Sequence, residues 1–240
     1  MIMISKRTKI AYAMVCLTFI IRSPHGDIPG SERESAIIEQ SRLVMNEGQP
    51  DMSMYLQETE HLDYRHPAFD EVLARVVSRS APICRRLEQL FYFTRDVLPF
   101  MNSAHLQASD VLKDQRGICY TKAMVYAAFC RKLGIPAKFG LLRFRIREDS
   151  VKNRQHVHGI VKIFVNDKWI YIDTVSNRDA WDHWGIRKTV TFEAPRFTCQ
   201  KDVIVSSKYY DKISVEEYDS PDVPEEWLIH MQKYLKTGKW

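Results

Sequence analysis

Three side chains that can cooperate in nucleophilic catalysis follow one another along this 240-residue chain: Cys119, His158 and Asp173. Cys119 follows Gly117-Ile118 and opens an alanine-rich segment, so we expect it in the first turn of a helix. There the free backbone N–H groups and the positive end of the helix dipole favour the thiolate over the thiol, and the thiolate is the nucleophile. The residue types and their order predict a Cys-His-Asp site for acyl transfer.

The spacing between His158 and Asp173 predicts where the two side chains lie relative to each other. On either side of Asn166-Asp167 lie runs of β-branched and aromatic residues, which is typical of a two-residue β-hairpin. Opposed residues then have numbers that sum to 333, as 166 and 167 do. His158 falls on the same sheet face as Asp173, one diagonal step away, at about 7–8 Å between backbones. His156 shares this face but lies further from Asp173, so it is the second choice as base.

Metal binding is the competing use of the same residue types. His156 and His158 form an H-x-H pair whose side chains lie about 6–7 Å apart on one strand face, and such a pair can hold zinc. Cys119 and Cys130 cannot complete that site together, because eleven helical residues separate them by about 16 Å. No C-x-x-C, H-E-x-x-H or acidic calcium-loop motif occurs. We therefore expect neither a metal nor an organic cofactor.

Composition sets broader limits. With 45% hydrophobic residues the chain can bury a substantial core. The net charge of +5 is spread among acidic residues without a basic block, which argues against a nucleic-acid partner. The five cysteines are odd in number and widely spread, which does not indicate a disulfide framework and favours a reducing compartment.

The first fifty residues are predicted to be an extension of a catalytic domain that spans residues 51–240. Basic residues at positions 6, 7 and 9 precede an apolar run from Ile10 to Ile21, as in a signal peptide. That run is too short for an ordinary transmembrane helix, and no good cleavage site follows it. We expect a cytoplasmic protein without stable membrane insertion, translated from this start or from Met45, Met52 or Met54. The alternative is export or tethering through residues 6–21.

Hydrophobic periodicity predicts helices first and strands later. Helical spacing from Phe69 to Val77 and from Leu87 to Val97 gives two helices before the cysteine helix. The period then changes to two at Leu142, and strands follow through the hairpin to about Thr189–Glu193. A closing helix is expected around Trp227–Met231, with acidic residues at its positive end. This order predicts an α+β domain in which the nucleophile helix packs on an antiparallel sheet.

At the residues singled out above, the chain resembles the transglutaminase-like superfamily of papain-like cysteine enzymes, in particular its single-domain microbial members. The resemblance covers about residues 54–180, and Ile160 and Lys162 stand where the family often has tryptophan and an acidic residue. It is carried by the following residues: Ala108–Lys113, Gly117–Cys119, Ala123, Ala127–Ala137, His158, Trp169 and Asp173.

The resemblance implies a Cys119 nucleophile, a His158 general base and an Asp173 that orients the histidine. The backbone N–H of Cys119 is a natural oxyanion donor, and Gln115 is a candidate for a second one. The implied reaction is hydrolysis of a peptide or other amide, which makes the partner a peptide or protein substrate. Two alternatives stay open: a protein-glutamine transglutaminase, and a peptide-binding module of the same fold without turnover.

Overall fold

The computed structural model describes residues 51–101, 105–146, 155–178, 180, 193–204 and 210–237. These residues belong to one compact unit, Asp51–Trp240. The extension predicted for residues 1–50 lies outside the described residues, and so does the strand predicted at about Thr189–Glu193, apart from Glu193. Across the described ranges, no helix is long and apolar enough to cross a membrane.

Helices precede the sheet along the chain, and one helix follows it. The elements are α1 (Pro67–Val76), α2 (Ile83–Tyr92), α3 (Ala108–Asp114), α4 (Cys119–Lys132), β1 (Ala137–Ile146), β2 (His156–Val165), β3 (Lys168–Ile172), β4 (Tyr210–Tyr218) and α5 (Glu225–Thr237). The predicted α+β architecture is therefore confirmed. The two helices expected before the cysteine helix are α1 and α2, and the closing helix is α5. Periodicity did not predict the short α3 or the strand β4.

The four strands form one antiparallel sheet in the order β3-β2-β1-β4. In the β2–β3 hairpin, Phe164 faces Trp169 and Val161 faces Ile172, so the predicted register is confirmed. Asn166 and Asp167 have φ angles of 52° and 58°. Two successive left-handed residues twist the chain in the sense that the flanking strands require, which holds the turn at two residues and fixes the register.

Helix α4 is buried along most of its length and packs on β2 and β1. Its alanines allow close approach to the sheet. A Cβ at Gly159 would lie 2.7 Å from Cδ1 of Tyr120 and 2.9 Å from Cη2 of Trp227, so only glycine fits at this point. Strand β2 therefore crosses close to the first turn of α4, immediately after His158.

Cys84 and Cys199 form a disulfide with their Cα atoms 6.0 Å apart. The prediction that the cysteines do not pair is therefore wrong for these two, and the argument for a reducing compartment loses its basis. Sequence alone could not pair them, because 115 residues separate them. Cys199 lies in an extended segment, residues 195–203, which we call the strap. The strap ends in a parallel bridge between Val203 and Ile172 of β3.

Candidate active site

Cys119 is the first residue of α4, and its side chain is half-exposed. The chain enters the helix tightly, because the N–H of Ile118 donates to Oγ1 of Thr121 at 2.9 Å. A Cβ at Gly117 would lie 2.6 Å from that same oxygen, so glycine is required there. The predicted location at a helix N-terminus is confirmed, with the sulfur beside the N–H groups of the first turn.

His158 lies on β2 with its imidazole buried between two partners. Nε2 is 2.8 Å from Oδ1 of Asp173. Cys119 interacts with the same imidazole and contributes to the rise in its pKa. Because Nε2 faces the carboxylate, Nδ1 is the nitrogen that remains for the thiol. The structure thus brings His158 into direct contact with Asp173 and places Cys119 near the same imidazole.

Asp173 directly follows β3 and is held from several sides. Its backbone N–H donates to the carbonyl of Val203 in the strap at 2.8 Å. Its Oδ1 accepts the N–H of Val175 at 3.0 Å and that of Ser176 at 3.2 Å, and its Oδ2 accepts the Ser176 hydroxyl. Asp173 therefore starts a turn and also contacts the histidine.

Electrostatics favour an ion pair between His158 and Asp173. Burial by itself lowers the pKa of His158, but the charge of Asp173 and the hydrogen bonds to Asp173 and Cys119 outweigh burial and raise it. For Asp173, burial raises the pKa, but the charge and hydrogen bond of His158 and the bonds from Ser176 and Val175 outweigh burial and lower it. Both directions favour an imidazolium paired with a carboxylate.

The two remaining predicted residues, His156 and Gln115, make other contacts or are exposed. His156 is half-buried, and its ring stacks on Phe144 with centroids 5.5 Å apart, whereas His158 is the histidine that bonds to Asp173. Gln115 ends α3 in the left-handed conformation and is exposed, four residues before Cys119. Its part in an oxyanion site stays a prediction.

Sequence reasoning did not assign any role at the site to Ser176 or Val203, although both hold Asp173. Ser176 gave a signal only as a turn residue. Val203 gave none, because its contact depends on a strap that is remote in sequence. Trp169, one of the residues that carry the resemblance, packs against Phe164 and Tyr55, with ring centroids 5.5 Å and 5.4 Å away. Within the described parts of the chain, no group of three or more His, Cys, Asp or Glu is arranged to hold a metal ion.

Comparison with known proteins locates the site within a family. No curated protein matches the chain. A solved structure from Cytophaga hutchinsonii, provisionally assigned as a cysteine protease, is similar at 15% identity and a TM-score of 0.43, and the match covers 73% of this chain and 58% of that one. Residues 71–174 match the model of the transglutaminase-like superfamily. That segment contains Cys119, His158 and Asp173, so the predicted resemblance to this superfamily is confirmed over this part of the chain.

Proposed function

We propose that this protein catalyses cysteine-dependent acyl transfer on an amide, with Cys119 as nucleophile, His158 as general base and acid, and Asp173 as the group that orients the histidine. One observation carries the proposal. The buried imidazole of His158 bonds to Asp173 at 2.8 Å, and the half-exposed Cys119 interacts with the same imidazole and raises its pKa. A structural cysteine needs neither an exposed sulfur nor a charged imidazole next to it.

In the first half of the reaction, the Cys119 thiolate attacks the amide carbonyl while the His158 imidazolium balances its charge. The tetrahedral intermediate collapses as the C–N bond breaks, and His158 donates its proton to the leaving amine. A thioester on Cys119 remains. Asp173 keeps its charge throughout and holds Nε2, so Nδ1 is the nitrogen that exchanges the proton.

In the second half, neutral His158 accepts a proton from water, and the resulting hydroxide equivalent attacks the thioester carbonyl. Collapse breaks the C–S bond, releases the acid and restores the thiolate–imidazolium pair. The developing oxyanion meets the backbone N–H of Cys119, which has no intrahelical partner because Cys119 is the first helical residue. Gln115 is the candidate for a second donor.

The surroundings of Cys119 favour a peptide substrate with apolar side chains. Met101 is 46% exposed, and its N–H donates to the carbonyl of Gly117, two residues before the nucleophile. Exposed apolar surface next to a reactive residue is a common feature of binding sites.

Water as the acceptor makes the protein a peptidase or amidase, which is our first choice. An amine as the acceptor would make it a protein-glutamine transglutaminase. Loss of turnover would leave a peptide-binding module. We further propose an oxidising location, because a disulfide between Cys84 and Cys199 is rare in cytosolic proteins. This favours the export alternative for residues 6–21 over the cytoplasm.

The test is incubation with a peptide library, with and without a primary amine, followed by mass spectrometry. The proposal expects new peptide termini or deamidated glutamines with the wild type, and none with Cys119→Ala. A product that carries the added amine would identify the transglutaminase. Binding of peptides without any product, by a protein whose Cys119 is intact, would identify the binding module and overturn the proposal.

A further inference from the structure

Lys122 is a buried lysine one helical turn after the nucleophile, and the mechanism above does not use it. Its side chain is fully buried, which is rare for lysine because the ammonium group must be compensated for the loss of water. Cys119 and Lys122 are three residues apart on α4, so their Cβ atoms lie about 5–6 Å apart on one helix face. A buried charge in this position calls for a specific role.

The ammonium of Lys122 binds two main-chain carbonyls outside its own helix. Nζ donates to the carbonyl of Arg95 at 2.9 Å and to that of Leu98 at 2.8 Å. Both belong to the segment in which α2 widens into a π-helical turn, Phe93–Val97, and then leaves the helix. A π-helical turn disturbs the regular backbone ladder, and such turns are frequent at functional sites. Lys122 thus fixes an irregular segment to the nucleophile helix.

The carbonyl of Arg95 also binds the turn that carries Asp173. Nδ2 of Asn177 donates to it at 2.9 Å, and Oδ1 of Asn177 accepts the N–H of Ala180 at 3.0 Å. One oxygen therefore receives a donor from the nucleophile helix and a donor from the turn of the acid. The Arg95 carbonyl therefore links Lys122 on α4, the helix that begins at Cys119, to the turn that follows Asp173.

The segment fixed by Lys122 also reaches the residues directly before Cys119. Phe100 forms a parallel bridge with Gly117, in which the N–H of Gly117 donates to the carbonyl of Pro99 at 3.2 Å and the carbonyl of Gly117 accepts from Met101 at 3.1 Å. A Cβ at Gly117 would lie 3.1 Å from Cγ of Lys122, so the stem of the lysine supports the same backbone. This backbone leads to the N–H of Cys119.

We infer that Lys122 is a positioning residue for the reaction proposed above: its buried ammonium joins α4 to the Asp173 turn through the Arg95 carbonyl. The inference rests on the proposed function. Lys122 acts through the placement of Cys119 relative to His158 and Asp173 and does not touch the substrate. Its removal should lower the reactivity of the thiol and move its pH dependence, since a displaced imidazolium stabilises the thiolate less.

The experiment follows alkylation of Cys119 by iodoacetamide against pH in the wild type, Lys122→Met and Lys132→Met. Lys132 is the matched control, because it ends the same helix and its Nζ donates to the carbonyl of Tyr64 at 3.0 Å and pairs with Asp70 at 2.9 Å. We expect Lys122→Met to slow alkylation at neutral pH by about tenfold or more and to move the half-maximal pH upward. Lys132→Met should match the wild type in both respects.

Asn177→Ala tests the same link if Lys122→Met does not fold, because the Asn177 side chain is only partly buried. It removes the second donor to the Arg95 carbonyl, so the alkylation rate should fall by about threefold or more, in the same direction as for Lys122→Met. The inference is overturned if folded Lys122→Met keeps the wild-type rate and pH profile, or if Asn177→Ala keeps the wild-type rate.

A wild-type Cys119 no more reactive than in the denatured protein would overturn the proposed function and this inference with it. A fast wild type with an unaffected Lys122→Met would overturn this inference alone.

Discussion

The two ends of α4 contain the same residue types and use them differently. At the first turn, Cys119 is half-exposed beside His158, and Lys122 holds neighbouring elements in place. At the last turn, Cys130 is fully buried, and burial raises its pKa well above the ordinary value. The contrast teaches that the thiol's chemistry depends on the helix terminus and the strands that meet it, and not on the presence of a thiol next to a cation.

Arg131 shows what the C-terminal end does instead. Its guanidinium donates to the carbonyls of Ala137 at 2.7 Å, Gln57 at 2.8 Å and Pro221 at 2.6 Å. Gln57 and Pro221 are distant from Arg131 in sequence, so Arg131 joins the start of β1 to residues near both ends of the domain. This end of the helix is a structural junction, whereas the other end is the candidate site.

The largest difference in activity is expected between the variants Cys119→Ala and Cys130→Ala. Cys119→Ala should lower kcat/KM by about 10⁴-fold or more, because the covalent route is lost, and leave the melting temperature nearly unchanged. Cys130→Ala should keep the activity of the folded protein and cost about 1 kcal/mol of unfolding free energy, as a small buried deletion does. Turnover assays and thermal melts of both variants measure this. Equal loss of activity in the two variants would erase the contrast.

The disulfide offers a second test, because it anchors the strap behind Asp173. Cys84→Ser,Cys199→Ser releases a loop closed over 115 residues, so we expect it to lower the free energy of unfolding by about 2–5 kcal/mol. The loss of activity should appear in kcat, since the strap carbonyl of Val203 holds the Asp173 backbone. Urea unfolding and steady-state kinetics measure both quantities. A variant as stable and active as the wild type would show that the strap has no such role.

Arg131→Met probes the opposite end of α4. Several hydrogen bonds from a buried charged group are lost and three carbonyls lose their donor, so unfolding free energy should fall by about 3 kcal/mol or more. The folded fraction should nevertheless label at Cys119 as fast as the wild type. Denaturant melts together with alkylation below the melting temperature separate the two effects. If Cys119 labels slowly in a folded Arg131→Met protein, the reactivity at the N-terminal end of α4 depends on the C-terminal end. That result would contradict the account.

Much of this arrangement follows from sequence, and the reason is local. The β2–β3 register could be predicted because Asn166-Asp167 adopts a two-residue turn, which fixes every pair in the hairpin. Cys119 could be placed because the glycine before it and the alanines after it mark a helix start. The disulfide, β4 and the strap depend on contacts between segments far apart in the chain, which no local pattern encodes. Burial of Lys122 is equally non-local, since a lysine on α4 would ordinarily be expected in solvent.

The smallest expected effect is the pH dependence of the unfolding free energy. It should arise from His158 and Asp173 near the N-terminal end of α4. The raised pKa of His158 stabilises the fold fully below its unfolded value of about 6.5, and this contribution declines as pH rises. The lowered pKa of Asp173 stabilises the fold fully above its unfolded value of about 3.9, and this contribution declines as pH falls. The stability that Asp173→Asn loses should therefore be largest between about pH 4 and 6.5.

Cys130 and Arg131 do not titrate in that window, because burial raises the pKa of Cys130 and lowers that of Arg131 only to about 10. Urea unfolding of the wild type and Asp173→Asn at several pH values measures the difference. A stability difference that is flat with pH would contradict the His158–Asp173 ion pair.

The most direct test of the central claim is site-resolved alkylation of Cys119 and Cys130, the free cysteines among the described residues, in the folded wild type, His158→Ala and His156→Ala, at near-neutral pH. The account predicts fast labelling at Cys119, none at Cys130, and a rate at Cys119 that falls by about tenfold or more with His158→Ala but not with His156→Ala. Labelling of Cys119 at an unactivated rate, or an equal effect of both histidine substitutions, would contradict it.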